Sequence, residues 1–257
     1  MNKELTEIKS FLDEAYLKYN NKQFIEHDPI CIPHRFSKKE DIEIAGFFAA
    51  TIAWGNRKSI ITNAQKLMQL MDDSPFSFVT GSSVKELNRL DRFVHRTFNG
   101  RDCIFFVHAL RNIYKHHGGL ENVFAIGKKQ NAGDAIVKFR EVFLETKHLS
   151  RSEKHISNPA NGSSAKRLCM YLRWMVRKDK MGVDFGIWNK IDPSQLCLPL
   201  DIHTGNIARS LGLLGRTQND WKSVMELTDV LKVFDASDPV KYDFSLFGIG
   251  VNNDLEF

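Results

Sequence analysis

The sequence predicts an all-α fold, and three observations support this prediction. Apolar residues recur at intervals of three and four along most of the chain, as they do in helices that bury one face. No stretch of useful length alternates apolar and polar residues in the way that a half-buried β-strand does. Turn-forming pairs such as Asn-Gly, Ser-Pro and Asp-Pro separate the helical stretches. The 257 residues, of which 42% are hydrophobic, are enough to bury a sizeable core.

The first half of the chain contains several predicted helices. Apolar residues from Leu5 to Tyr19 share one face of the first helix. After a linker with two prolines, residues 37–40 form a capping box for a helix that is apolar nearly all round and should therefore be central. The Gly-Asn pair at 55–56 ends that helix. Further helices are predicted at 60–71, after Ser83, at 104–114 and at 134–148. The pattern Ser83-x-x-Glu86 predicts a second capping box, at the start of the short helix after Ser83.

The segment NPANGSSAK predicts a turn followed by a helix. Asn-Pro and Asn-Gly pairs mark the turn at 158–162, and Ser163 or Ser164 can cap the helix. The apolar positions of this helix begin at Leu168. Lys166 therefore lies at the predicted N-terminus of the helix.

The remaining helices are predicted from similar signals. Pro199 ends an extended apolar run, and Asp201 is a favoured N-cap residue for the helix that follows. Another helix should begin within Thr217–Asp220. The last should begin at Asp238-Pro239, because a proline at the first helical position needs no partner for an N–H group.

Lys166 and Asp201 form a pair that catalysis can use. The positive end of its own helix and the neighbouring Arg167 both disfavour the ammonium form of Lys166, so the free amine is more accessible as a nucleophile. Asp201, as an N-cap, accepts backbone N–H bonds, and we expect it to be anionic. Taken singly, each residue also has a purely structural interpretation, Asp201 as a plain helix cap and Lys166 as a solvated lysine.

Charge and cysteine content narrow the functional classes. The net charge of +5 is only mildly basic, but residues 163–180 hold six basic side chains and one acidic one. This segment is therefore the predicted phosphate-facing surface. The four cysteines are scattered, with none of the spacings of a disulfide framework, a zinc site or an iron–sulfur cluster. We therefore expect no cofactor and no metal centre.

The sequence predicts a cytoplasmic protein. Residues 1–19 form an amphipathic helix with acidic residues and lysines, unlike an apolar signal segment. The longest uncharged apolar run, from Ile44 to Trp54, is too short to span a bilayer. We therefore expect neither secretion nor a membrane partner.

GSSAK and the later LPLDIH resemble the motifs of the helix-hairpin-helix DNA glycosylases. In that family a hairpin G-x-G-x-K carries a catalytic lysine, and P-V-D-x-H carries a catalytic aspartate. With RLCMYLRWMVRKD, VDFGIW and DPVKYDFSLFGIG, the chain looks most similar to a bacterial branch near the 8-oxoguanine and archaeal 8-oxoguanine DNA glycosylases. The resemblance covers about residues 158–250.

The resemblance implies a two-lobed helical fold with a cleft between the lobes. We expect one compact unit over residues 1–257, with one lobe at 37–198 and the other at 1–36 together with 199–257. The implied partner is double-stranded DNA that contains a damaged base, bound by a monomer associated with the nucleoid. The resemblance allows one ion, a structural monovalent cation at the hairpin, and no iron–sulfur cluster is expected.

The resemblance also implies an activity and the residues that carry it. Lys166 falls on the lysine that forms a Schiff base, and Asp201 falls on the catalytic aspartate. The implied enzyme is a base-excision repair glycosylase with AP lyase activity toward an oxidised purine such as 8-oxoguanine. The residues implied at the DNA backbone and the orphaned base are Gly162, Ser163, Ser164, Arg167, His203 and Asn56, and those implied at the base pocket are Trp54, Asp243 and Phe247.

Two other functions remain open from the sequence. Ser164 occupies the position of the second hairpin glycine, and the spacer between Lys166 and Asp201 is longer than in most relatives. Both departures favour a noncatalytic nucleic-acid-binding protein of the same fold. The nineteen phenylalanines are also compatible with a helical protein-interaction module.

Overall fold

The structure, a computed structural model, describes residues 3–255 and is helical throughout most of this range. These residues form the α-helices α1 (Lys3–Tyr19), α2 (Lys22–Glu26), α3 (Lys39–Thr51), α4 (Arg57–Leu70), α5 (Pro75–Gly81), α6 (Val84–Leu87), α7 (Gly100–His116), α8 (Leu120–Phe124), α9 (Ala132–Leu144), α10 (Lys166–Val176), α11 (Ile202–Ser210), α12 (Trp221–Phe234) and α13 (Tyr242–Asn252). Short 3-10 helices lie at Pro29–Cys31, Pro33–Arg35, Asn88–Leu90, Ser150–His155, Pro159–Asn161, Pro193–Gln195 and Pro239–Lys241.

The β-structure of the described residues is a small hairpin. Strands β1 (Val94–His95) and β2 (Phe98–Asn99) pair in antiparallel register, with Val94 opposite Asn99. So short a hairpin cannot supply a core of its own. The prediction of an all-α fold is confirmed.

The chain divides into two compact units, and the division differs from the predicted lobes. The first unit comprises the described residues up to Phe24, Lys128–Gly133, and the described residues from Asn158 onward; the second comprises Ile25–Gly127 and Asp134–Ser157. The sequence predicted one lobe at 37–198 and another at 1–36 with 199–257. It therefore assigned residues 158–198 to the lobe formed by the middle of the chain, whereas in the structure they belong to the first unit. This segment belongs with the terminal helices because two of its buried arginines reach them. Arg173 of α10 donates a hydrogen bond to Asp243 of α13, and Arg177, just after α10, donates one to Tyr16 of α1.

Helix α13 organises the first unit. It packs against both α1 and α11. Gly248 allows α1 to come close, since a Cβ at this position would lie 2.3 Å from the ring of Tyr19. One turn earlier, Ser245 Oγ donates a 2.7 Å hydrogen bond to the carbonyl oxygen of Leu12. A helix that is buried nearly all round is therefore fixed by close packing and by a buried hydrogen bond.

Helix α10 is buried along most of its length, and its first turn differs from the prediction. The expectation that Ser163 or Ser164 caps it was wrong, because the N-cap residue is Ala165 and no side chain caps the helix. Ala165 has a φ of +47°, in the left-handed region, and Ser163 Oγ accepts a 3.3 Å hydrogen bond from its N–H group. This turn makes Lys166 the first residue of α10.

The end of α10 is covered by the chain that follows it. The N–H groups of Phe185 and Trp188 donate hydrogen bonds of 2.8 and 2.9 Å to the carbonyl oxygens of Trp174 and Met175. These are carbonyl groups of the last helical turn, which lack partners within the helix. The segment after Val176 therefore folds back onto α10 and does not extend it.

Phenylalanine side chains fill the core of the second unit between α3, α7 and α9. Phe47 of α3 contacts Phe106 of α7 and Phe139 of α9, with ring centroids 5.7 and 5.5 Å apart. Phe139 also stacks on Phe124 at 4.3 Å. Helix α3 is buried without interruption over Ile42–Thr51, which confirms its predicted central position. The high phenylalanine content is thus explained by a packed aromatic core.

The two predicted capping boxes had different outcomes. Ser83 Oγ caps the N–H group of Glu86, whose carboxylate accepts a 2.7 Å hydrogen bond from the N–H group of Ser83, so this box is confirmed. The box predicted at residues 37–40 was wrong, because α3 begins at Lys39 and its N-cap residue, Lys38, has no side-chain cap.

Among the residues that the structure describes, no helix combines the length and the apolar character that crossing a lipid bilayer requires.

Truncation of Phe139 tests the aromatic core. The side chain is fully buried against Phe47, Phe124 and Phe143, so Phe139→Ala should lower the free energy of unfolding by about 3–5 kcal/mol. Val84→Ala is the matched control in the same unit, because Val84 is 75% exposed and its truncation should change stability by less than about 0.5 kcal/mol. Denaturation by guanidinium measures both, and equal effects would contradict the assigned core.

Candidate active site

The predicted turn before α10 is present and is built from local hydrogen bonds. Asn158 Oδ1 accepts a 3.0 Å hydrogen bond from the N–H group of Ala160, which begins the 3-10 helix Pro159–Asn161. Gly162 ends that helix with a φ of +84°, a left-handed conformation that suits glycine. An added Cβ at Gly162 would meet no atom within 4 Å, so the turn is open to solvent at this point. The turn follows a 3-10 helix and precedes α10.

The turn is held against the start of α12. The N–H group of Trp221 donates a 3.0 Å hydrogen bond to the carbonyl oxygen of Gly162, and Ser163 forms an isolated bridge with Asp220. Asp220 in turn caps α12 by accepting a 2.9 Å hydrogen bond from the N–H group of Ser223. The path of the chain just before Lys166 is therefore fixed by a distant segment as well as by its own turns.

Asp201 is the N-cap residue of α11, as predicted. Its Oδ1 accepts a 2.9 Å hydrogen bond from the N–H group of Thr204. Its carbonyl oxygen accepts a 3.1 Å hydrogen bond from Asn219 Nδ2. These two contacts leave Oδ2 facing away from the helix cap and available to another group.

Lys166 and Asp201 come together in the first unit. Lys166 Nζ lies 3.7 Å from Asp201 Oδ2, and the two side chains are 28% and 20% exposed. Partly exposed ion pairs contribute little to stability, with a typical value below about 1 kcal/mol. The pair is therefore accessible to a reactant, and its contribution to folding is small.

A second carboxyl group, that of Asp243, is buried near this pair. Arg173 Nη1 donates a hydrogen bond to Asp243 Oδ2, and Arg173 Nε donates a 3.2 Å hydrogen bond to Asp184 Oδ1. Burial raises the pKa of Asp243 to about 6; the charge of Asp201 acts in the same direction, whereas Arg173 and Lys166 oppose the rise. The charges of Lys166 and Asp201 thus act on a carboxyl group that titrates near neutral pH. The predicted contact of Asp243 with a base edge stays a prediction.

His203 and Phe247 also lie together. His203 is exposed on the first turn of α11, and its ring is 6.3 Å from the half-buried ring of Phe247, edge to face. On its other side Phe247 contacts the ring of Phe24 at 6.3 Å. The close approach of α11 and α13 depends on Gly250, where a Cβ would lie 3.1 Å from the Cβ of His203.

The predicted phosphate-facing surface was wrong for two of its arginines. Arg173 and Arg177 are 3% and 1% exposed. Arg177 forms ion pairs with Asp179, Asp184 and Asp238 at 2.7, 3.1 and 2.9 Å. Burial raises the pKa of Asp184, although both arginines oppose the rise. These arginines are structural, and most of their acidic partners lie in later segments of the chain.

Arg167 is more exposed than Arg173 and Arg177. It is half-buried beside Lys166, and desolvation lowers its pKa to about 10. Its guanidinium group therefore remains cationic at neutral pH. A contact with a phosphate group stays a prediction for this residue.

Asn56 and Trp54 belong to the second unit, whereas the other predicted site residues belong to the first. Asn56 is exposed and caps α4, with its Oδ1 3.2 Å from the N–H group of Ser59. Trp54 is half-buried, with its ring stacked on His155 at 6.0 Å and edge to face with His95 at 5.0 Å. Asn56 is thus a helix cap and Trp54 part of an aromatic cluster, and their roles toward DNA stay predictions.

Within residues 3–255, no group of three or more histidine, cysteine and acidic side chains is arranged to hold a metal ion. The four cysteines are unpaired thiols. The arrangement in the first unit therefore offers an amine, an adjacent carboxylate, and a buried carboxyl group that titrates near pH 6. Such a set suits attack on electrophilic carbon with stabilisation of a developing positive charge.

Two substitutions separate the capping role of Asp201 from its charge. Asp201→Asn should change the free energy of unfolding by no more than a few tenths of a kcal/mol, because asparagine is an equally good N-cap residue. Asp201→Ala should cost about 1 kcal/mol, because the N–H group of Thr204 loses its acceptor. Urea denaturation at neutral pH measures both, and equal losses would show that the ion pair with Lys166 matters more than the cap.

The titration of Asp243 predicts a dependence of stability on pH. Its pKa in the folded protein, about 6, exceeds the ordinary 3.8, so between these values the folded state binds more protons than the unfolded state. The protonated form of Asp243 contributes stability at low pH. The free energy of unfolding should therefore fall by an amount on the order of a few kcal/mol as the pH rises from about 4 to 7.

The substitution Asp243→Asn should remove this dependence. The difference in unfolding free energy between the wild type and the variant should fall as the pH rises from about 4 to 7. The substitution also removes a partner of Arg173, which lowers the free energy of unfolding of the variant. This second effect is the same at each pH in this range, because the guanidinium group stays charged. Denaturation at several pH values measures the difference, and a constant difference would contradict the raised pKa.

Comparison with known proteins gives one family match. A family model described as a protein of unknown function (DUF2400) matches residues 28–252. No curated protein and no solved structure matches the chain. The family match spans most of the chain and includes Lys166, Asp201 and Asp243. On this basis, the chain belongs to the DUF2400 family.

Proposed function

We propose that this protein is a DNA N-glycosylase with AP lyase activity, which excises an oxidised purine such as 8-oxoguanine. One observation carries the proposal. Lys166 and Asp201, which are far apart in the sequence, each occupy the start of a helix, and their charged atoms lie 3.7 Å apart. Residue types and motifs at both positions resemble those of the helix-hairpin-helix DNA glycosylases.

The reaction would begin with the nucleotide out of the base stack, because no side chain reaches C1′ within a duplex. The neutral amine of Lys166 would attack C1′, forming an N–C bond while the glycosidic bond breaks. The bonding electrons of the glycosidic bond leave with the base, which takes up a proton. The sugar ring then opens to give an iminium ion, a Schiff base between Lys166 and C1′.

The lyase step follows from the Schiff base. The positive nitrogen acidifies the proton on C2′, whose loss expels the 3′ phosphate by β-elimination. Hydrolysis of the Schiff base then regenerates the free amine of Lys166. Atoms and charges balance with water as the only co-reactant.

Asp201 would stabilise the positive charge that develops on the sugar as the base departs. Its cap hydrogen bond to Thr204 holds the carboxylate in place, so little reorganisation is needed during the reaction. Asp243, buried nearby with a pKa of about 6, is a group that exchanges a proton at physiological pH. The pair Lys166 and Asp201 thus carries the covalent step, and Asp243 gives the site its own response to pH.

DNA would be bound mainly through its backbone. The N–H groups of Gly162 and Ser163 already donate to the carbonyl oxygens of Pro159 and Asn158, so Ser164 would supply the backbone N–H group to a phosphate at this open turn. A monovalent cation bound at the turn would add to this contact. Arg167, which follows Lys166 in the chain, and His203, which is exposed on α11, would contact the DNA backbone.

The same proposal covers the base and the fold. Asp243 and Phe247 of the first unit would contact the damaged base, and the roles implied for Trp54 at the base and for Asn56 at the orphaned base belong to the same proposal. The proposal also includes the helix-hairpin-helix glycosylase fold, double-stranded DNA as the partner and association with the nucleoid.

Borohydride trapping tests the proposal. The protein is incubated with a duplex that contains one 8-oxoguanine and is reduced, which converts a Schiff base into a stable secondary amine. The wild type should give a covalent protein–DNA adduct, and Lys166→Ala should give none. Lys22→Ala is the control, because Lys22 is an exposed lysine of the same unit and its loss should leave the adduct unchanged. A panel of duplexes with other damaged bases extends the test to the choice of lesion.

Asp201→Asn provides the second arm of this test. It should slow base release in a single turnover by roughly 10²–10³-fold, because an electrostatic contact to the transition state is lost while the helix cap remains. Duplex binding without any adduct would instead support a noncatalytic nucleic-acid-binding protein. Absence of DNA binding at low salt would contradict both and favour a protein-interaction module.

A further inference from the structure

A cleft on the second unit is lined by cationic and polar side chains. It has a volume of about 430 Å³, within the range of small-molecule sites. It lies beside the C-terminal half of α7 and the segment that follows α9. The side chains that matter here are His108, Arg111, Asn112, Lys115, His116 and Lys147.

Helical spacing places the α7 side chains on one face. His108, Arg111 and Lys115 follow one another at intervals of three and four residues, so they share a stripe along the helix surface. Seven residues separate the first from the last, which corresponds to about 10 Å along the helix axis. Lys147, from the other wall, adds a further positive charge.

Arg111 is held in place by the protein. Its Nε donates a 2.7 Å hydrogen bond to the carbonyl oxygen of Val79, and its Nη2 donates bonds of 2.9 and 2.7 Å to the carbonyl oxygen and Oγ of Ser82. None of these acceptors is a carboxylate, so the positive charge of Arg111 is not neutralised by them. The cleft therefore contains a cation held by hydrogen bonds as well as two exposed lysines.

No acidic side chain is among the described residues that line the cleft. Glu145 lies close to it, but its Oε2 is 3.2 Å from His117 Nε2 and 3.4 Å from Asn112 Nδ2. Burial, and then the charge of Arg111, lowers the pKa of His108. The positive charge of the cleft therefore comes from Arg111, Lys115 and Lys147, and His108 is not counted among these cations.

We propose that this cleft binds a ligand with two or more neighbouring phosphate groups. The cations Arg111 and Lys115 lie about 6 Å apart along α7, and Lys147 lies on the other wall, so adjacent phosphates can contact more of these cations than a single phosphate can. The lining residues include no Trp, Tyr or Phe to stack on a base, so recognition is directed at phosphates. This inference does not depend on the glycosylase proposal, because none of the residues implied in that activity lines the cleft.

Titration calorimetry on the full-length protein at low salt tests the proposal, with inorganic tripolyphosphate and orthophosphate as probes. Tripolyphosphate should bind, and orthophosphate should bind at least about tenfold more weakly, because it spans fewer of the cations. The double variant Lys115→Ala/Lys147→Ala should weaken tripolyphosphate binding by about tenfold or more. Both lysines are exposed, so the variant should fold normally.

The control is the double variant Lys66→Ala/Lys85→Ala. It removes two exposed lysines from the same unit, changes the net charge equally, and should alter tripolyphosphate binding by less than about twofold. An equal loss in the control, or no binding of tripolyphosphate to the wild type, would overturn the proposal.

Competition then identifies the source of the phosphates. Oligothymidylate that displaces bound tripolyphosphate would assign the cleft to a nucleic-acid backbone, whereas tripolyphosphate that stays bound would assign it to a free polyphosphate. Nucleic acid bound elsewhere on the protein would not compete, so both outcomes support a phosphate site in this cleft.

Discussion

The first unit depends on the burial of two arginines at α10. A buried guanidinium group must be paired, because an isolated charge in the interior costs several kcal/mol. Arg173 is held by Asp184 and Asp243, and Arg177 by Asp184 and Asp238, so α10 is joined to the segment after it and to α13. Lys166 lies on the same helix, two turns before Arg173. The paired arginines therefore fix the helix that carries Lys166.

This network supports the candidate site in two ways. It orients α10, and it holds Asp243 in a buried position where its pKa rises to about 6. The pair of Lys166 and Asp201 is different in kind, since it is partly exposed and so contributes little to folding. The buried arginine pairs thus have a structural role, whereas the Lys166–Asp201 pair is among those that solvent reaches. The proposed glycosylase activity assigns the reactive role to this accessible pair.

Much of the fold could be predicted from the sequence, because helical spacing and N-cap residues are local signals. The helix start at Asp201 and the buried α3 are examples. The role of Arg173 and Arg177 could not be predicted, because a basic stretch has the same composition whether it is solvated or paired with acids distant in sequence. The division into two compact units differs from the predicted lobes for the same reason, since contacts between distant segments decide it. Ala165 was missed as an N-cap because its left-handed conformation depends on the turn before it.

The central claim is that Lys166 is the nucleophile, and peptide mapping of the reduced protein–DNA adduct tests it most directly. After borohydride reduction and nuclease digestion, mass spectrometry of proteolytic peptides locates the residual deoxyribose fragment on one lysine. Our account predicts that the fragment is attached to Lys166 in the wild type and that the yield falls in Asp201→Asn. Attachment to another lysine, or modification spread over many exposed lysines, would contradict it.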